Sequence, residues 1–290
     1  MKPAAFEYHA PTTVADVAAL LAEHADECKP LAGGQSLVPM LALRLTRFEH
    51  LIDLNRVDEL VGVERTNGTL TIGAMTRQRA VERDASVAAA VPLLALSVPF
   101  IGHTQIRNRG TIGGSLAHAD PASELPAVAL ALGADFELAS ADGRRVVPAA
   151  EFFEGTWTTC LRDDELLVSV RFPVWEGKCG FAFDEVARRS GDFALAGVGA
   201  AVELAGDGVV QRCSLGLLGM GSTPVRAAAA EQALLGRTPT ATDLDEVAQL
   251  AVADLDPPED VHATSSYRQR VGAHLVRTVL GRALEEARSR

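Results

Sequence analysis

Aromatic residues make up only 5% of the 290 positions, so the core cannot rest on ring packing, and Ala and Val must do much of the filling. Cysteine is scarcer still. Cys28, Cys160, Cys179 and Cys213 lie far apart, and none forms the C-x-x-C pair that zinc, a redox dithiol or an iron–sulfur cluster would use. In a chain this long without a secretory segment they are expected to stay reduced. Basic residues are outnumbered, 27 against 38 acids, giving a net charge of −11 with no long basic run. That argues against nucleic acid as a partner, which needs a clustered positive surface. No apolar run approaches membrane-spanning length, and the N-terminal MKPAAFEYHAP lacks the hydrophobic core of a signal peptide. The expectation is a soluble, cytoplasmic protein. Nor does any nucleophile–base constellation stand out, which points to chemistry supplied by a bound group.

What the chain does have is a repeated device. Leu31–Leu43 reads LAGGQSLVPMLAL and Thr111–Ala127 reads TIGGSLAHADPASELPA. Each sets a Gly-Gly pair and a Ser between a short apolar run and a helical pattern. Glycine admits close approach to the main chain, and successive N–H groups ahead of a helix make a concave site for anions. Either loop alone is more simply a chain reversal; two together suggest a grip on a diphosphate from both sides.

The order of elements divides the chain into units 1–57, 58–175 and 176–290. The first alternates strands at residues 6–9, 30–32 and 50–54 with helices, the rhythm of a small parallel sheet. The second opens on a hairpin about Asn67-Gly68, continues through helices at 76–90, 92–101 and 124–132, and adds strands at 134–139, 144–147 and 165–172. The third carries strands at 181–187, 193–204 and 209–218, then helices at 225–235, 244–255 and 266–287. Gly216-Leu217-Leu218-Gly219-Met220-Gly221 has the dinucleotide spacing reversed and reads as a strand-ending turn.

AGGQSLVPML followed some seventy residues later by QIRNRGTIGGSLAHADPASELPA resembles the FAD-binding medium subunit of the molybdenum hydroxylases, the group of xanthine dehydrogenase and carbon monoxide dehydrogenase. The resemblance runs from Phe6 to about Ala287. It implies an α+β architecture: the FAD-binding fold of the vanillyl-alcohol oxidase type, made of two α/β subdomains, plus a C-terminal three-stranded antiparallel sheet with helices. It implies FAD in the cleft between the first two units. It also implies partners: a large molybdenum-cofactor subunit and a small subunit with 2Fe–2S clusters, assembled as a dimer of heterotrimers. The chain is then an oxidoreductase subunit passing electrons through FAD to an external acceptor. Two rivals are a self-sufficient flavin oxidoreductase and a non-catalytic nucleotide-binding scaffold.

The same resemblance places Leu31, Ala32, Gly33, Gly34, Gln35, Ser36 and Leu37, with Thr111, Ile112, Gly113, Gly114 and Ser115, against the cofactor. It adds Ile101, Gly102 and Leu167 as lining, Glu124 on ribose or ribityl hydroxyls, and Phe193 over the flavin ring. Each has a plainer reading. Ile101, Leu167 and Phe193 suit a core, Ser36 suits a helix cap, and Glu124 suits a helix N-terminus. Arg107 and Arg109 either neutralise phosphate or pair with acids. Asp120 reads as a turn residue. A side chain at Gly114 is expected to fill the diphosphate's space and leave the fold intact. The chain departs from the family pattern where several relatives carry a Lys around Asp184 or Glu185 and this chain has acids.

Overall fold

The structure, a computed structural model, describes residues 2–290. Its first 57 residues run β1 (Glu7–His9), α1 (Val14–His24), β2 (Cys28–Leu31), α2 (Leu37–Leu43) and β3 (His50–Asp53). The three strands are parallel in the order β1-β3-β2, pairing Glu7 with His50 and Leu31 with Asp53. Helix α1 forms because Val14, Val17, Ala18 and Leu21 bury one face, and the Thr13 side chain caps it by accepting from the Asp16 amide.

The Asn-Gly hairpin joins β4 (Val63–Thr66) to β5 (Thr69–Gly73), with φ of 49° and 78° at Asn67 and Gly68, as its two-residue turn requires. The helix expected at 76–90 is two, α3 (Gln78–Arg83) and α4 (Ala85–Ala90), because Asp84 leaves the helical conformation and caps the Ser86 amide. Then come α5 (Pro92–Ser97), α6 (Thr104–Arg109), α7 (Ile112–His118) and α8 (Glu124–Leu132). Strands β6 (Asp135–Ser140) and β7 (Gly143–Pro148) are followed by α9 (Ala149–Phe152), the short pair β8 (Phe153–Gly155) and β9 (Thr158–Thr159), and β10 (Leu166–Pro173). Together they give a five-stranded antiparallel sheet ordered β4-β5-β10-β6-β7.

The last segment holds β11 (Lys178–Ala187), β12 (Ala194–Leu204), β13 (Val210–Leu218) and the two-residue β14 (Val225–Arg226), then α10 (Ala228–Leu234), α11 (Ala241–Val252) and α12 (Ser265–Ser289). The expected three-stranded antiparallel sheet thus gains a short fourth strand, cut from the start of the helix expected at 225–235.

The layers stack. The face of the five-stranded sheet carrying Ala139, Leu166 and Val168 meets α1, while Leu70, Ile72, Phe136 and Phe172 on the other face pack on α5, α7 and α8. The C-terminal sheet covers that same helical layer through Phe181, Phe183 and Leu218, and carries α10–α12 behind it. Glycine sets two of the closest approaches. A Cβ at Gly216 would lie 2.3 Å from the Ala127 carbonyl oxygen of α8, and one at Gly180 only 1.9 Å from that of Ala283 on α12. Gly216 is therefore a packing residue inside β13, whereas Gly219, at φ 71°, begins the expected turn. No helix among the described residues is long and apolar enough to cross a membrane.

Candidate functional site

A cavity of about 390 Å³ opens at the C-terminal ends of the three parallel strands, where ligands of such sheets bind. Leu31, Ala32, Gly33, Gly34 and Gln35 form one wall, and Ser36 and Leu37 follow at the entry to α2. Among the described residues, the amides of Gly33, Gly34, Gln35 and Ser36 find no protein acceptor, and the Ser36 side chain makes no capping bond. Opposite them stands Arg109, whose guanidinium forms no ion pair or hydrogen bond among the described residues. Four unspent donors and one unpaired cation around a concave space are chemically suited to an anionic group.

The two Gly-Gly segments meet, though not as a symmetrical pair. A Cβ at Gly33 would lie 2.4 Å from the Arg109 carbonyl oxygen and 2.9 Å from Gly110 Cα. The second pair is not in a loop. Gly113 and Gly114 sit in the first turn of α7, with Thr111 as its cap. There the amides are spent: Ile112 donates to the Thr76 carbonyl, Gly113 to Ala74, Gly114 to Thr111 Oγ1 and Ser115 to the Thr111 carbonyl. Thr111 is almost fully buried, the Ile112 side chain is in the core, and neither lines the cavity. A side chain at Gly114 would meet Thr111 Oγ1 at 2.6 Å, so it disrupts the helix cap instead of filling the space expected of a phosphate.

The other expected residues fall into two groups. Ile101 is 9% exposed and follows α5, and Gly102 takes φ 48°. Against this turn lies the connection between β11 and β12: a Cβ at Gly191 would overlap the His103 ring. That connection carries Phe193, which is 64% exposed and belongs to no core. Leu167, by contrast, is buried inside the five-stranded sheet's core.

Glu124 is 7% exposed at the start of α8. Burial pushes its carboxyl up to about 7; its own amide and Arg107 oppose the rise, and the Asp120 charge adds to it. Glu185 on β11 is pushed to about 8 by burial, reinforced by the Glu124 and Asp184 charges, and its Oε2 is buried without a partner. The two acids thus belong to one poorly compensated seam. A carboxyl whose pKa rises on folding costs stability between its unfolded value, near 4.5, and its folded one, and the cost stays above that. Glu185→Gln is therefore expected to match wild type near pH 4.5 and exceed it by ~2 kcal/mol at pH 9, once solvent screening is allowed for. Urea unfolding across that range checks it; equal stabilities at pH 9 would refute the seam.

The arginines divide. Arg107 is buried and holds Glu82 in a bidentate pair, Nε–Oε2 2.8 Å and Nη2–Oε1 3.1 Å, while its Nη1 donates to the carbonyls of Ile101 and Gly102 at 3.0 Å. Arg109 is the one that faces the cavity. Asp120 caps its own turn by accepting from the Ala122 amide.

Three wall residues carried no recognisable sequence signal. Tyr8, Asp53 and Asn55 complete the cavity, with the Tyr8 hydroxyl donating to Asp53 and Asn55 Nδ2 donating to both Asp53 and the Ala32 carbonyl. Burial raises the Asp53 pKa, but those hydrogen bonds outweigh it and hold the carboxyl below its usual range. Arg77 joins the network from behind, donating to Asn55 Oδ1 at 2.5 Å and to the Arg109 carbonyl. The signal available was positional: all three sit at the carboxyl ends of parallel strands or just beyond.

Comparison with known proteins now places the chain. The family described as the FAD binding domain in molybdopterin dehydrogenase matches residues 4–175, and the CO dehydrogenase flavoprotein C-terminal domain matches 181–286. The chain is 40% identical over 288 residues to the 6-hydroxypseudooxynicotine dehydrogenase complex subunit alpha of Paenarthrobacter nicotinovorans, covering 99% of this chain and 97% of that one. It is 40% identical over 287 residues to the caffeine dehydrogenase subunit beta of Pseudomonas sp. (strain CBB1), covering 98% and 97%. Among solved structures, carbon monoxide dehydrogenase from Hydrogenophaga pseudoflava superposes with a TM-score of 0.96 at 40% identity, covering 99% of both chains. The unspent amides and Arg109 fit the diphosphate of the cofactor that the matching family is described as binding. The chain belongs to the FAD-binding medium subunits of the heteromeric molybdenum hydroxylases.

Proposed function

We propose that this chain carries electrons between an iron–sulfur subunit and an external acceptor, with FAD held across the cavity described above. The observation that carries the reading is the set of four unpaired amides, Gly33–Ser36, facing the unpaired Arg109 guanidinium. Bound FAD supplies the redox chemistry, taking up electrons one at a time and giving them up as a pair. The chain's residues bind and orient it. Gly33–Ser36 and Arg109 hold the diphosphate, while Asp53, fixed by Tyr8 and Asn55, accepts from sugar hydroxyls. Gly114, partly exposed on α7, lies beside Ala32, and the next residue, Ser115, is also partly exposed, extending the same surface. Ile101, Gly102 and the exposed Phe193 would line the ring end of the cofactor. Glu185 stays mostly protonated at pH 7, whereas Glu124 is about half ionised there and becomes neutral only at lower pH.

The partners in this reading are a large molybdenum-cofactor subunit and a small 2Fe–2S subunit, assembled with this chain as a dimer of heterotrimers in the cytoplasm. Relatives of equal identity are named for 6-hydroxypseudooxynicotine and for caffeine, which supports a substrate choice made in another chain. The units 1–57, 58–175 and 176–290 each have one of the main sheets as a frame.

Isolation of the native complex, with subunit identification and metal analysis, tests this. The expected result is one flavin, one molybdenum and two 2Fe–2S clusters per copy of this chain. A flavin-loaded chain that purifies alone and turns over its own organic substrate would overturn it.

A further inference from the structure

We infer that His9, His24 and His50 form a site for a first-row divalent transition-metal ion of the zinc, copper or nickel class, separate from the flavin cavity. The backbone brings them together. Glu7 pairs with His50 across the parallel β1–β3 ladder, and His9 lies two residues on, so all three project from one face. Helix α1 runs back over that face, burying Val17 and Leu21 against Ile52, and ends at His24. Tyr8, between the first two side chains, alternates to the other side and reaches Asp53 and the cavity.

The three rings form a cluster. The His24 and His50 centroids are 3.7 Å apart, and His9 is 5.3 Å from each. One ligand nitrogen from each ring lies within 4.8 Å of the other two. His9 Nε2 and His50 Nδ1 are already 3.1 Å apart, close to the about 3.3 Å between two ligands of a tetrahedral zinc at normal bond lengths. The His24 ring is stacked on His50, 12° from parallel, so it must turn at the helix end to aim its nitrogen at the shared ion. Glu7 Oε2, 3.7 Å from His50 Nδ1, stands where a fourth ligand is required, leaving water as the alternative.

Among the described residues, the His24 ring makes no hydrogen bond, and the only acid within ion-pair distance of the cluster is the exposed Glu7. All three rings are half-buried, so an ion can reach them from solvent. Imidazoles in this number select borderline cations over magnesium or calcium, which take oxygen ligands. A bound ion would pin β1, the end of α1 and β3 together behind the cavity wall.

The test uses the untagged, FAD-loaded full-length chain, stripped with chelator and titrated with Co²⁺ followed by Zn²⁺. The expected result is one equivalent of cobalt with visible d–d absorption, displaced by zinc, and a raised melting temperature. His24→Asn and His50→Gln should each weaken binding by at least on the order of 100-fold while flavin content is unchanged. Equal cobalt uptake by the variants would overturn the site, as would a near-ultraviolet sulfur-to-cobalt band pointing to cysteine. Should either variant misfold, the wild-type chain decides: zinc must protect His9, His24 and His50 from diethyl pyrocarbonate. Unchanged labelling there, with His103, His118, His262 and His274 as internal controls, rejects the proposal.

Discussion

Replacing Gly33 with Ala is expected to reduce FAD affinity by at least on the order of 100-fold and to cost the apoprotein about 1–3 kcal/mol. The added methyl would meet main chain, not side chain: the Arg109 carbonyl oxygen at 2.4 Å and Gly110 Cα at 2.9 Å. Neither can rotate away, so the two segments must separate, and Arg109 moves off the amides it faces. Gly34→Ala is the control. It inherits a φ of 73° and meets only side chains, Val38 at 3.0 Å and Leu31 at 3.4 Å, so its cost is mainly left-handed strain of about 1 kcal/mol. Flavin absorbance per chain and urea unfolding measure both. Full flavin occupancy in the Gly33 variant would mean the cofactor does not depend on the contact between the segments.

The second large effect is expected at Arg107→Met. Removing the guanidinium strips Glu82 of its bidentate partner and leaves the Ile101 and Gly102 carbonyls without a donor, a loss of about 3–5 kcal/mol for a buried pair. Its pH signature is specific. Hydrogen bonds from Arg107, against burial and with help from Arg79, pull the Glu82 carboxyl down to about 2. Such a group contributes its full stability above the unfolded value near 4.5 and loses it as pH falls toward 2. The gap between wild type and variant should therefore be widest at neutral pH and narrow on acidification. Because the same arginine holds the turn before α6, flavin affinity should fall as well. A variant with wild-type stability at pH 7 would show that the pair has no structural role.

Much of the fold is local and could be read in advance. The Asn67-Gly68 turn needs two positive φ angles and has the residues for them, and the apolar stripe of α1 follows directly from its sequence. What escaped notice depends on distant contacts. TIGG looked like a loop because two glycines usually break a helix. Here Gly113 is needed inside one, since α7 packs so closely on Ala74 that a Cβ would sit 2.4 Å from the alanine methyl. Helix α6 has no apolar period and is held by Arg107. The first Gly-Gly segment was legible as a turn with unpaired amides, because those free donors are a property of the turn itself. Tyr8, Asp53 and Asn55 were not, because they become a wall only when three parallel strands align their ends.

The apolar cluster that joins Leu93, Leu94, Val98, Leu125 and Val128 to Phe181, Phe183 and Leu218 has a further consequence. The family boundaries at 175 and 181 fall between halves that share one interior. A fragment ending there would be a wounded flavoprotein, not a smaller one, with the oily underside of α5 and α8 bared to water.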